Sequence, residues 1–453
     1  MTTASHQIVQ VLAHLVKTVP VGTNRALLQL MWTMVSGAFL RSRGAVHSAL
    51  QQAGFTPDEI RRSWQALRYG VWSNDELLQR WRAWVAAETT WRPHEYEGWR
   101  PVAIDITAFW RPRLQGWIGR YFHQLAQRLM PAVVFGVVTE VGQNAGQRVP
   151  LLRRILPGAI YANTAAELEQ RLLRWASRQL GPQEVALFDA GFKLQQLQEE
   201  NVPRFVLRLA KNCTVRRNVL PLRKRRGRPP EYGERLRPLP RRYRGRRLIA
   251  SAPDVSGSFT VKDHDQGEII TVNFHGWQDV VRSDQKVAMG QATFTVWVFF
   301  DPRFQDPLVL ATNLDAAAAT IYQLYHDRWP VEQVPQAAKQ MLGLQRQFVF
   351  APTSVYRLPQ LALLLGNVLT IMATQLPPVP SGYWDRRPKK RQAAYDGRWA
   401  GRNFQTRTHW TGEFGKKRRS AGTCRGVWRP IGGCHGSPTG ADRFIQAGFG
   451  PHC

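Results

Sequence analysis

The chain has 453 residues, 43% of them hydrophobic, which is enough for two to four domains and a large core. Four Cys exclude a disulfide-built scaffold and suit a reducing compartment. Lys and Arg number 62 against 32 Asp and Glu, a net charge of +30, so a polyanion is the first partner to consider. Of the basic residues 51 are Arg, whose planar fork matches phosphate and guanine edges. Met1–His6 carries no basic leader, and the longest apolar run, Leu361–Ala373, is 13 residues with Asn367 inside it. It reads as a core helix rather than a membrane span, and the expectation is a soluble, cytoplasmic, nucleoid-associated protein.

The charge is concentrated. Lys211–Arg247 holds 15 Lys/Arg against Glu231 and Glu234, and Ser381–Cys453 holds 15 against four acids. The rest of the chain has the charge of an ordinary globular protein.

In chain order, residues 1–95 predict a helical domain, with apolar residues at helical spacing through Ile8, Val11, Leu12 and Leu15 and again from Leu27 to Met34. Thr56-Pro57-Asp58-Glu59 and Ser73-Asn74-Asp75-Glu76 are capping boxes. Ala45–Gln52, the Ala53-Gly54-Phe55 turn and Pro57–Tyr69 form either a helix-turn-helix that binds DNA or a plain helical packing unit. From Trp99 the period changes. Val102–Ile106 and the continuously apolar Ala132–Val138 predict strands. Arg148–Ile155 predicts a third, antiparallel to the second across the Gly142–Gly146 turn. Thr164-Ala165-Ala166-Glu167 caps a helix to about Leu180, and Glu184–Phe188 and Phe205–Leu209 predict further strands. Residues 96–210 are thus the first part of an α/β (α+β) unit.

Residues 211–290 are basic and carry β signals only. Within them Arg226-Gly227-Arg228-Pro229 fits either the core of a minor-groove hook or a loop gripping phosphates, with Lys211 at the block's edge. Core strands resume at Thr293–Phe300 and Leu308–Thr312. Helices follow over Ala316–Asp327, Val331–Gly343 and Leu358–Ala373, so residues 291–378 complete the α/β unit. Residues 379–453 contain no Leu, and 13 of the 36 Gly lie beyond residue 380. That composition predicts a disordered basic arm or a shifted reading frame. Cys424, Cys434, His435, His452 and Cys453 lack paired metal-ligand spacing. Trp277 and Trp297 are read as core packing in preference to base stacking.

Two acids are out of place among the strands. Asp105 sits inside an apolar strand and Asp189 ends another; on neighbouring strands they would pair around a hard divalent cation. Further on, Tyr325, Arg328, Glu332 and Lys339 follow the spacing Tyr-x2-Arg-x3-Glu-x6-Lys. On a continuous helix these four would share one stripe, although Pro330 and Pro335 predict a break before Glu332 and a kink after it.

With both strand acids upstream, this spacing resembles the signature of the DDE transposases of bacterial insertion sequences, in the lineage with a β-rich insertion before the catalytic Glu. The resemblance extends to Ala186–Phe192, Arg204–Asn212, Ala311–Leu314 and Tyr325–Glu332, and spans about Val102–Ala373. It implies an RNase H-like core in which Asp105, Asp189 and Glu332 are catalytic and hold two Mg2+ ions, with Mn2+ able to substitute. Tyr325, Arg328 and Lys339 would bind DNA, as would Arg226, Arg228 and Lys211. The implied reaction cuts insertion-sequence ends and joins the 3′-hydroxyls to target DNA by two-metal-ion phosphoryl transfer. The implied partners are double-stranded DNA, as terminal inverted repeats and target, and a second copy in a homodimer on DNA. Two other readings compete. One is a catalytically decayed DNA-binding remnant that inhibits transposition; the other is a basic RNA-binding protein, which leaves the acids unexplained.

Overall fold

A computed structural model of the protein describes residues 3–114, 116, 119–123, 126–158, 165–222, 228–262 and 269–375. Arg226, Gly227, Thr164, the residues after 375 and the Cys/His cluster at the end of the chain lie outside the described residues.

The fold is mixed α/β around a mostly antiparallel sheet of 13 strands. Its principal strands are β1 (Arg100–Trp110), β2 (Arg128–Asn144), β3 (Gln147–Pro157), β4 (Glu184–Phe188), β5 (Phe205–Arg208), β6 (Val215–Arg217), β7 (Val255–Lys262), β8 (Ile269–Arg282), β9 (Phe294–Phe300) and β10 (Leu308–Thr312). Across the sheet the order runs β3, β2, β1, β4, β5, β10, β9, β8, β6. β1 and β4 are parallel, as are β4 and β5; the other pairings between these strands are antiparallel. β2 and β3 form the expected hairpin, with Asn144 opposite Gln147. Ala145 and Gly146 both take positive φ in the two-residue turn, the geometry that matches strand twist. Within the basic block Arg241–Tyr243 and Arg246–Leu248 pair antiparallel as a small separate sheet. The block's strands β6, β7 and β8 instead extend the 13-stranded sheet through β9.

The continuous apolar run in β2 is buried on both faces, as its composition predicts. Val134 and Val138 face helix α6 (Ala165–Gln179), where Gly136 leaves room for Leu172: a Cβ there would lie 2.6 Å from its side chain. Val133, Phe135 and Val137 face the other way, into a core shared with the N-terminal helices and with α8 (Pro352–Thr374). Those helices are α1 (Thr3–Leu15), α2 (Thr23–Val35), α3 (Val46–Gln52), α4 (Pro57–Tyr69) and α5 (Asn74–Glu88). They therefore share one hydrophobic core with the sheet. α4 begins at the predicted capping box, with Thr56 and Glu59 each bonding the other's backbone N–H. At Ser73 the helix starts as expected, without a side-chain cap.

α8 is longer than its apolar run and is long and apolar enough to cross a membrane, yet most of it is buried inside this fold. Asn367, the amide residue inside its apolar run, is hydrogen-bonded through both its oxygen and its nitrogen. Trp81 Nε1 and the Leu152 amide donate to its Oδ1 at 2.9 and 3.0 Å, and its Nδ2 donates to the Pro150 carbonyl at 2.7 Å. One amide thus joins α5, β3 and α8. Trp277 and Trp297 are also buried, and Trp277 Nε1 donates to the Ala252 carbonyl at 2.9 Å.

The helix expected over Val331–Gly343 is not one helix. Ala318–His326 is α7; then come a 3-10 turn at Trp329–Glu332, a short α segment at Gln333–Gln336 and a π turn at Ala337–Met341. Pro330 and Pro335 supply no N–H, so the i→i−4 ladder fails at each and the segment re-pairs with other periods. In the π turn the Leu342 amide reaches back to the Ala337 carbonyl at 3.0 Å. Gly366 lets α8 approach this segment, with the Ala338 amide nitrogen 2.9 Å from where a Cβ would stand.

Candidate active site

Parallel pairing aligns Ile104 of β1 with Phe188 of β4, so Asp105 and Asp189 follow at adjacent positions of neighbouring strands. Asp105 belongs to the face of β1 that carries Ala103 and Phe109 into the core shared with α8. The same face carries Thr107 and meets the irregular segment after α7. Asp105 Oδ1 accepts the Ile106 amide at 2.7 Å. Asp189, at the β4 end, accepts the Tyr325 hydroxyl at 3.3 Å and lies 3.6 Å from Arg208 Nη1 of β5.

Tyr325 and Arg328 stand at the end of α7 and just past it, and Glu332 on the 3-10 turn. Arg328 is buried, and its Nη2 donates to Glu332 Oε1 at 2.9 Å, while half of Glu332 remains exposed. The Arg328 guanidinium also sits 5.8 Å from the Tyr325 ring centre. Its buried Nε has no hydrogen-bond partner among the described residues. Lys339, on the π turn, donates to Thr107 Oγ1 at 2.7 Å and lies 5.3 Å from the ring centres of both Phe109 and Trp110. The four signature residues thus face β1 and β4 from three helical pieces rather than from one stripe.

The electrostatics tie the acids and bases together. Burial pushes the Asp105 carboxyl up to about 6; Arg328 pulls it back, and Glu332 and Asp189 add repulsion. Burial opposes the charge of Arg328, but Tyr325 and the carboxylates of Asp189, Glu332 and Asp105 outweigh it and hold its pKa above the usual range. Burial raises the Tyr325 phenol. Burial lowers the Lys339 amine to about 8, with Asp105 resisting. Arg328 is the internal counter-ion of three carboxylates. Among the described residues no three His, Cys, Asp or Glu side chains converge to hold a metal ion.

The remaining expected residues lie apart from this cluster. Lys211 is half exposed and paired with Asp306, and Arg228 is exposed and paired with Glu231. Arg226 lies outside the described residues. Several neighbours have no signal in the spacing: Thr107 and Arg208, and behind Arg328 a buried group centred on Asp327. A scan against family models gives no match for this chain, and a comparison with curated proteins gives none either.

Proposed function

We propose that the chain is a DDE transposase with an RNase H-like core, which binds insertion-sequence ends, cuts DNA and joins the freed 3′-hydroxyls to a target. One observation carries the reading: Asp105 and Asp189 stand at adjacent positions of parallel strands, with Arg328 and Glu332 in charge contact with them. A packing role does not account for it, because burying a carboxylate against other carboxylates disfavours folding. The strand order β3-β2-β1-β4-β5, antiparallel across the first three and parallel across the last three, supports the RNase H-like assignment.

The all-oxygen donor set of Asp105, Asp189 and Glu332 fits hard divalent cations, and Mg2+ or Mn2+ is the cofactor of this reading. Asp105 and Asp189 would hold it as a pair, and Glu332 would join them on leaving Arg328. Bound there, the cofactor supplies Lewis acidity for in-line displacement at phosphorus. The chain's own groups do the rest. Arg328, freed as Glu332 turns away from it, grips a phosphate oxygen through its guanidinium, and Tyr325 packs beside it. Lys339 adds a positive charge while protonated. The N-terminal helices, the basic strands and Arg228 and Lys211 hold the duplex, and a second copy holds the other end.

The test is cleavage of a plasmid carrying the DNA that flanks this coding sequence. Nicking that needs Mg2+ or Mn2+ and is lost in Asp105→Asn, Asp189→Asn and Glu332→Gln supports the reading. Undiminished nicking in any of the three overturns it. DNA binding with no cleavage by the unaltered chain points instead to the inhibitory remnant.

A further inference from the structure

Asp327 lies between two signature residues yet faces away from the acids they serve, and it is buried. Three side chains from two segments converge on its carboxylate. Tyr96 donates its hydroxyl to Oδ2 at 2.9 Å, and His94 Nδ1 lies 2.7 Å from the same oxygen. Arg148, at the start of β3, donates Nη1 to Oδ1 at 3.4 Å and to the His326 carbonyl at 3.5 Å. The Asp327 amide bonds back to the Gln323 and Leu324 carbonyls, closing α7. Both carboxylate oxygens and the amide of this residue thus have partners.

We propose that Asp327 is a positioning residue: its carboxylate, clamped by Tyr96, His94 and Arg148, sets the direction in which Arg328 enters the acidic cluster. The reason is geometric. α7 ends at His326 and the 3-10 turn begins at Trp329, so Asp327 and Arg328 form the junction between them, where the i→i−4 ladder gives way to shorter bonds such as that from the Arg328 amide to the Tyr325 carbonyl at 2.9 Å. Held at Asp327, the junction keeps the Arg328 guanidinium at 2.9 Å from Glu332. Released, the junction keeps only its backbone bonds, and the phosphate grip loses its preorganisation. Two of the three clamps come from the connection between α5 and β1, so the segment that joins the helical part to the sheet sets the site.

This inference rests on the transposase reading, and its test separates the two. Tyr96→Phe removes one hydroxyl and leaves the packing. It is measured alone and in an Arg328→Lys background, by single-turnover cleavage and by unfolding midpoint. Acting through Arg328, Tyr96→Phe slows cleavage about tenfold in the unaltered chain and less than twofold in the Arg328→Lys background. Asp327→Asn behaves likewise. An equal factor in both backgrounds, or no effect in either, overturns the clamp, because a merely structural contact is indifferent to the residue at 328. If the unaltered chain does not cut DNA, the transposase reading fails. The unfolding cycle then decides: non-additive midpoints uphold the clamp and additive ones refute it.

Discussion

Asp105→Asn is expected to inactivate the protein and stabilise it at once. Burial raises the carboxyl from its ordinary 3.8 to about 6, so between those values the folded chain holds a proton that the unfolded chain has released. Stability therefore falls as pH rises from about 4 to about 6 and stays low above that. The rise corresponds to about 3 kcal/mol. Asparagine has the same shape and never ionises, so it avoids this loss, minus whatever Arg328 forfeits with one carboxylate neighbour gone. At about 2 cal/mol/K per residue over the described chain, the gain is about 2 to 4 °C in Tm. The assay is thermal unfolding of both proteins with EDTA at pH 4 and pH 8. The variant melts higher at pH 8, and the two agree at pH 4. A variant that melts lower at pH 8, or by the same margin at both pH values, would refute the claim that Asp105 is a charge held against the fold's own preference.

Other expectations follow the same logic. Lys339 is held near pKa 8, so its hold on DNA weakens as pH rises through 8. Lys339→Arg, charged throughout, removes that decline in a filter-binding titration between pH 7 and pH 9. Asp189→Asn and Glu332→Gln abolish cleavage while DNA affinity changes less than about threefold; Mn2+ supports the unaltered chain, and Ca2+ supports binding better than chemistry. Asn367→Leu leaves Trp81 Nε1, the Leu152 amide and the Pro150 carbonyl unpaired in the core, lowering stability by about 3 kcal/mol or more in urea unfolding.

Most core strands were legible because each contains a short apolar run with turn residues at its ends, whereas Val215–Arg217, short and basic, gave no such signal. Asp105 and Asp189 stood out as acids in or at the end of such runs, and only the strand alignment makes them neighbours. What surrounds the acids was not legible. Arg208 ends a strand like any basic residue, and Thr107 is an ordinary β residue; only the alignment of β1, β4 and β5 brings them to the site. Asp327 occupies a position that the Tyr-x2-Arg spacing leaves free. The broken segment after α7 was half legible, since Pro330 and Pro335 mark where the ladder fails but not what replaces it. The amphipathic pattern of α1 to α5 told that they bury one face and was silent on the surface they bury it against.

That surface includes α8, and the arrangement bears on how the chain is made. A ribosome delivers α1 to α5 first, then the sheet, and α8 only after some 350 residues have emerged. Until then Val133, Phe135 and Val137 of β2 and the inner faces of the early helices lack the helix that fills the space between them. The nascent chain must carry that apolar surface through most of synthesis, where it is open to chaperones and to other nascent copies. Any protein shortened before Pro352 therefore forfeits more than a C-terminal segment: it leaves the N-terminal helices without the helix that completes their core.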